Sequence, residues 1–287
     1  MSSRTVLRHL GDGDAFVDLS SWRAVEVSGS DAREWLDDLV SARLGTLGPG
    51  RAVPSLLLSP TGGIQAAFTA IEAGESVLLV QDPRQPRSIA GLLEPYVLSS
   101  DVRIAETRAG VFAFPGRAQP PASHPASAPS CTGAGLDVVT AAADRDRTRA
   151  ELEAEFATAD AAALEAWRVA AAIPAVGVDT MDGDLPQEVG LEHLVSFDKG
   201  CFLGQEAVAR SRNLGHPRRW LLPVESGADL RPGDEIVVRD GRAGVVTSAA
   251  PLDDAWVGFV RVAWSDREEP MRTTSGAHVR PRVRPAA

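Results

Sequence analysis

The sequence predicts an α+β fold built on antiparallel sheets and closed by a small all-β unit. Three observations carry this. Short β-prone runs and short helix patterns alternate as far as Phe114 without the regular strand–helix–strand repeat of a doubly wound sheet. Within that stretch lies a hairpin pattern, Leu56-Leu57-Leu58 and residues 66–71, split by Ser59-Pro60-Thr61-Gly62-Gly63. After Pro217 only short strand patterns and turns remain.

Each element has a local cause. Ala24, Val25 and Val27 make the first β-prone run, and Ser28-Gly29-Ser30-Asp31 breaks it. Asp31 or Ser30 then caps a helix whose Trp35, Leu36, Leu39 and Val40 share one face. Residues 77–80 form a strand after the Gly74 turn, residues 88–96 a short helix, and residues 102–114 two further strands. Residues 116–129, rich in proline, alanine and serine, read as an extended loop that serves only as a spacer. Asp160 or Thr158 caps a helix with Leu164, Trp167 and Ala171 on one face, and Pro174 ends it. The terminal strands fall at 220–224, 235–239, 244–248 and 256–262. Pro232-Gly233-Asp234 and Asp240-Gly241 separate them, which suits a small barrel or sandwich.

Composition narrows the function classes. The 287 residues carry 39 acidic and 29 basic side chains, a net charge of -10. That balance argues against a general nucleic-acid binder, which needs a basic surface to release counterions. No apolar run approaches the roughly 18 residues of a membrane span, and the start lacks a signal-peptide core, so a cytoplasmic chain without a membrane partner is expected. The two cysteines, Cys131 and Cys201, are far apart and the five histidines are scattered, so no metal site built from this chain alone is expected. Lys199 is the only lysine among the 29 basic residues, and it stands two positions from Cys201.

That coincidence draws attention to residues 195–210. Gly200 and Gly204 bracket the cysteine, as where a backbone turns sharply or approaches a ligand. Strong helix formers follow from Gln205, so Cys201 is expected just before a helix N-terminus. There the helix dipole and the Lys199 ammonium would both favour thiolate. The alternative is a small buried hydrophobe among Val195, Phe197, Phe202 and Leu203.

Lys199-Gly200-Cys201-Phe202-Leu203-Gly204-Gln205-Glu206-Ala207-Val208-Ala209-Arg210 resembles the KGC[YF]xGQExxAR hallmark of the YgfZ-type folate-binding proteins. These are relatives of the T-protein, the aminomethyltransferase of the glycine cleavage system. Val27 to Ala32 with Trp35-Leu36 resembles the family's amino-terminal VxGxDAxxFL. Trp167-Arg168 to Pro174, Gly177 and Pro186-Gln187-Glu188 resemble the stretch leading to its pterin-binding acidic residue, and residues 244–248 resemble its barrel.

The resemblance implies two ferredoxin-like antiparallel-sheet domains and a C-terminal β-barrel in a ring around a folate channel. On that plan residues 14–50 and 135–215 form the first, discontinuous α+β domain, which carries the Lys-Gly-Cys motif. Residues 51–115 form the second, 116–130 the loop, and 217–287 the barrel. It also implies tetrahydrofolate or a one-carbon derivative as cofactor, and iron–sulfur client proteins or assembly factors as partners. Cys201 and Lys199 are then the candidate catalytic pair. Glu188 matches the donor edge of a pterin, with Gln187 as an alternative contact. Arg168 and Arg210 are candidates for the folate or its glutamate tail, or else ion-paired helix residues. Trp22 and Trp220 either stack on a flat ring or pack.

The sequence also departs from the pattern. Aminomethyltransferases carry an Asp pair after a Gly-Gly-Ile turn, and here Ala66 and Ala67 follow Gly62-Gly63-Ile64. Alanine transfers no proton, which argues against glycine-cleavage chemistry. Ala170 and Ala172 replace a Glu and a Gly before Pro174, and Gly190 stands where Asn is frequent. The expected function is a tetrahydrofolate-binding accessory protein of iron–sulfur cluster assembly or repair. The alternatives are a folate-dependent aminomethyl or methyl transferase and a non-catalytic folate-binding module.

Overall fold

The computed structural model describes residues 3–214, 217–239 and 241–283. It contains two five-stranded sheets and a closed six-stranded barrel. In the first sheet the order is Ala157–Ala159, Ala15–Asp18, Ala109–Phe114, Leu136–Ala141, Ala128–Pro129. In the second it is Ala52–Leu58, Ile64–Ala73, Ser76–Gln81, Arg23–Ser28, Arg103–Thr107. Every pairing in both is antiparallel except Ala15–Asp18 against Ala157–Ala159. The barrel closes because Arg219–Ser226 pairs with Ala255–Ala263 on one side and with His278–Pro281 on the other. Asp240 of the expected Asp240-Gly241 turn, and residues 284–287 of the expected barrel range, lie outside the described residues.

Sheet pairing divides the chain differently from the expected boundaries. Arg23–Ser28 and the helix Ala32–Leu39 belong with the hairpin of the second sheet, not with residues 135–215. The cause is the apolar face of that helix: Leu36 and Val40 pack with Val25, Val27, Leu57, Ala66 and Leu79 in one buried cluster. Nor is the Pro-rich segment only a spacer. Ala128–Pro129 extends the edge of the first sheet, and Ser127, Ala128 and Ser130 are buried.

The helix Ala161–Ala170 starts where Asp160 caps it, the carboxylate accepting the Ala163 N–H at 2.8 Å. Its end is a Schellman motif, with Ile173 N–H donating to the Arg168 carbonyl and Ala172 N–H to that of Val169. Ala172 adopts φ 56° there, the left-handed conformation that glycine takes most readily.

Candidate functional site

The hallmark segment sits where the second sheet's hairpin, the 186–202 stretch and the barrel meet. Leu56, Leu58, Ile64, Val189, Leu191, Val195, Phe202, Val208, Leu221 and Phe259 form a single buried cluster there. Gly204 adopts φ +81°, and a Cβ on it would collide with the Ser59 carbonyl oxygen, so the turn before the Gln205–Leu214 helix needs glycine. Gly200 has open space around it and no positive φ, so no such need applies to it.

Cys201 lies four residues before that helix and is exposed, not buried among its aromatic neighbours. Lys199 does not serve it. The ammonium is buried and donates to three main-chain carbonyls, those of Asp37, Val40 (3.0 Å) and Ala42 (2.9 Å), with the Asp37 carboxylate at 3.5 Å. An ammonium has three N–H donors, and all three are engaged. The single lysine therefore caps the C-terminal end of the Ala32–Leu39 helix, where a cation complements the carbonyls. Burial lowers its proton affinity, and the Asp37 carboxylate opposes that. Among the described residues no hydrogen bond joins Lys199 to the Cys201 thiol, and its donors are spent on main-chain carbonyls.

Pro186–Glu188 forms a single 3-10 turn beside the barrel strand Arg219–Ser226. One oxygen of Glu188 accepts the Leu185 N–H at 2.9 Å, which fixes the half-buried carboxylate. Gln187 is 9% exposed, yet neither its amide nitrogen nor its amide oxygen has a hydrogen-bond partner. A buried primary amide with both ends unmet is costly, of order 1–3 kcal/mol per group. It is the polar atom pair around this turn that most calls for a ligand.

Two buried ion pairs hold the surrounding frame to the barrel. Asp184 is chelated by both terminal nitrogens of Arg261, and its main-chain oxygen accepts the Ile64 N–H of the hairpin at 2.8 Å. Arg168 is 5% exposed and donates to Asp179 (2.7 Å), Ser248 (2.7 Å), the Ile173 carbonyl (3.1 Å) and both oxygens of Glu165. Its five N–H groups are consumed, so it is not available to a ligand tail. The sequence offered this as the ion-paired alternative, but not its partners Asp179 and Ser248, 11 and 80 residues further along the chain.

The remaining candidates separate. Arg210 is exposed on the Gln205–Leu214 helix. Trp22 packs against the cluster between the two sheets, a different cluster from the one around Glu188. Trp220 packs against the barrel core and meets Trp264 edge-on at 4.9 Å. Both tryptophans are partly buried against these clusters. At the place of the transferase Asp pair, Ala66 is fully buried, and the Ala67 N–H and carbonyl are both bonded by the Gln85 side chain at 2.9 and 2.7 Å.

No protein-family model matches the chain. Among solved structures, the glycine cleavage system aminomethyltransferase T from Bartonella henselae matches with a TM-score of 0.80 over 97% of this chain and 87% of that one, at 18% identity. Among curated proteins, the tRNA-modifying protein YgfZ of Edwardsiella ictaluri is 35% identical over 131 residues, 43% of this chain and 40% of the relative. The protein of the same name from Cronobacter sakazakii is 25% identical over 295 residues, 91% of this chain and 89% of its own length. The two sheets and the barrel thus define a protein of the aminomethyltransferase T fold class. Within that class, the chain is related to the YgfZ proteins.

Proposed function

We propose that the chain binds a reduced folate at the Gln187–Glu188 turn and acts as an accessory protein in iron–sulfur cluster assembly or repair, with Cys201 as its functional thiol. The observation that carries the binding is the unmet amide of Gln187 beside a fixed carboxylate. A pterin edge presents a lactam carbonyl, a ring N–H and an exocyclic amine. A primary amide supplies one donor and one acceptor to such an edge, and a carboxylate accepts from the amine and ring N–H. When bound, the folate supplies one-carbon chemistry. The chain's own residues orient it and exclude water.

Transferase activity is the weaker reading. Ala66 and Ala67 offer no acid or base, and the Ala67 main-chain groups are already occupied by Gln85. Cys201 stands exposed and so reachable by a macromolecule, which suits transient chemistry with a client better than a permanent cluster, for which four ligands are usual. The curated relatives carry tRNA modification in their names. With a net charge of -10, this chain would bear on such a process through an iron–sulfur client, not by gripping RNA.

Tetrahydrofolate titration followed by tryptophan fluorescence tests the binding. Glu188→Ala should weaken it about tenfold to a hundredfold, the loss of a charge-assisted bond. Unchanged affinity in folded Glu188→Ala and Gln187→Leu proteins would remove the turn from the site. The role is tested by iron–sulfur enzyme activities in a deletion strain complemented with wild type or with Cys201→Ala. Full rescue by the variant would exclude the thiol.

A further inference from the structure

A cavity of about 490 Å³ opens between the first helix, the Ala161–Ala170 helix and a barrel hairpin. The first helix, Ser3–Asp12, supplies Leu7 and Arg8. Trp167 and Ala170, three residues apart and so on one face of their helix, form a second wall. Leu252 and Asp253, at the turn joining Gly241–Leu252 to Ala255–Ala263, form the third. None of the six belongs to the Gln187–Glu188 turn or to the apolar cluster around it. The size falls within the roughly 300–1,000 Å³ of small-molecule sites, and Leu7, Ala170 and Leu252 give the usual apolar lining.

Three polar groups line this space unmet. Trp167 is 8% exposed, and among the described residues its indole N–H has no hydrogen-bond partner. A buried tryptophan ordinarily finds one. Arg8 and Asp253 are exposed, and neither makes an ion pair among the described residues, with each other or with a third group. Asp253 also holds φ 53° at the hairpin turn, where glycine is the easier residue. Aspartate tolerates that conformation and adds a carboxylate to the cavity wall.

Two donor groups and one anion around an apolar interior define a complementary ligand. We propose that this cavity binds a free α-amino acid with a large apolar side chain, as the zwitterion. Its carboxylate accepts from the Arg8 guanidinium and the Trp167 indole N–H, and its ammonium donates to Asp253. Its side chain lies against Leu7, Ala170 and Leu252. A ligand with only one charge leaves either the cation or the anion of the cavity without a partner. The site stands apart from the folate reading and would persist without it.

Isothermal titration of the full chain with L-phenylalanine tests this. Hydrocinnamate, which lacks the ammonium, and phenethylamine, which lacks the carboxylate, serve as single-charge probes. L-Phenylalanine should bind wild type with a Kd of about 1 mM or below. Each single-charge probe should bind about fivefold more weakly, the scale of one exposed charge contact. Asp253→Asn, which suits the same backbone conformation, should erase the advantage over hydrocinnamate alone. Arg8→Gln should erase the advantage over phenethylamine alone. The Trp167 indole N–H resonance should shift on binding, and circular dichroism verifies that the variants fold. No saturable binding of L-phenylalanine to wild type would overturn the proposal. So would equal wild-type affinity for the three probes, or a preference for the zwitterion that survives both substitutions.

Discussion

The Lys199 ammonium donates to the Val40 carbonyl at 3.0 Å, which binds the hallmark segment to the end of a helix in the second sheet. With the carbonyls of Asp37 and Ala42 also satisfied, one side chain closes three main-chain acceptors that otherwise lie unmet at a helix terminus. Lys199→Met should therefore destabilise the protein by about 2–3 kcal/mol, the range for a buried hydrogen-bonded charge. Chemical denaturation measures it. In the same variant, still folded, the pH profile of Cys201 alkylation should match wild type. A profile that moves with Lys199 would restore the lysine as the partner of the thiol.

The two cysteines should label in a definite order. Cys201 is exposed, while burial and then the Asp137 carboxylate push the Cys131 thiol well above its ordinary value. Cys131 is half-buried beside the edge strand Ala128–Pro129. A bulky maleimide at neutral pH should modify Cys201 alone in native protein, and Cys131 only with unfolding. Mass spectrometry of Cys201→Ala and Cys131→Ala decides it, and native labelling of Cys131 at a comparable rate would contradict the burial.

Asp137 should leave a signature in stability against pH. It is fully buried, and burial raises its carboxyl from 3.8 to about 6 despite bonds from the Cys131 N–H and the Ser130 hydroxyl. A folded value above the unfolded one means the native state holds the proton more tightly. Its stabilising contribution is thus present below about pH 4 and is lost as pH rises through about 6. Roughly two units correspond to a loss on the order of 3 kcal/mol. Asp18 and Glu165, held below their ordinary values, act in the opposite sense, so the wild-type curve alone mixes the effects. Urea midpoints from pH 4 to 7 for wild type and Asp137→Asn isolate the contribution, because the variant should lack the decline.

How much of this was legible depended on whether the signal was local. The helix at Ala32–Leu39, the hairpin around Gly62-Gly63 and the barrel strands each carry their own apolar period or turn residues, and all were readable. The helix Arg145–Glu155 was not: it buries only Thr148 and Leu152 and shows almost no apolar face. The sequence marked Ala172 as replacing a glycine. That it sits at φ 56° in a helix-ending motif is visible only in the backbone. Lys199 was conspicuous by its rarity, yet its partners lie about 160 residues away, and no spacing rule predicts a cation's destination over that distance. Gln187 was named as a contact, but its unmet amide is a property of packing.

Arg168 gives the sharpest separation between a ligand residue and a structural one. Its guanidinium joins the Ala161–Ala170 helix to Asp179, and Asp179 in turn accepts from the Thr247 and Ser248 hydroxyls of the barrel at 2.6 and 2.5 Å. Asp179 is fully buried, so removal of the arginine strands a carboxylate away from water. Breaking a buried pair from one side typically costs about 3–5 kcal/mol, whereas replacing both partners with apolar groups is far milder. Arg168→Met should accordingly destabilise by that amount, and Asp179→Leu with Arg168→Met should recover a substantial part. A tail-binding arginine would behave differently, losing folate affinity with little change in stability and no rescue from position 179. Paired urea denaturation and folate titration on the two variants distinguish the cases. A stable Arg168→Met protein with weakened folate binding would return Arg168 to the ligand site.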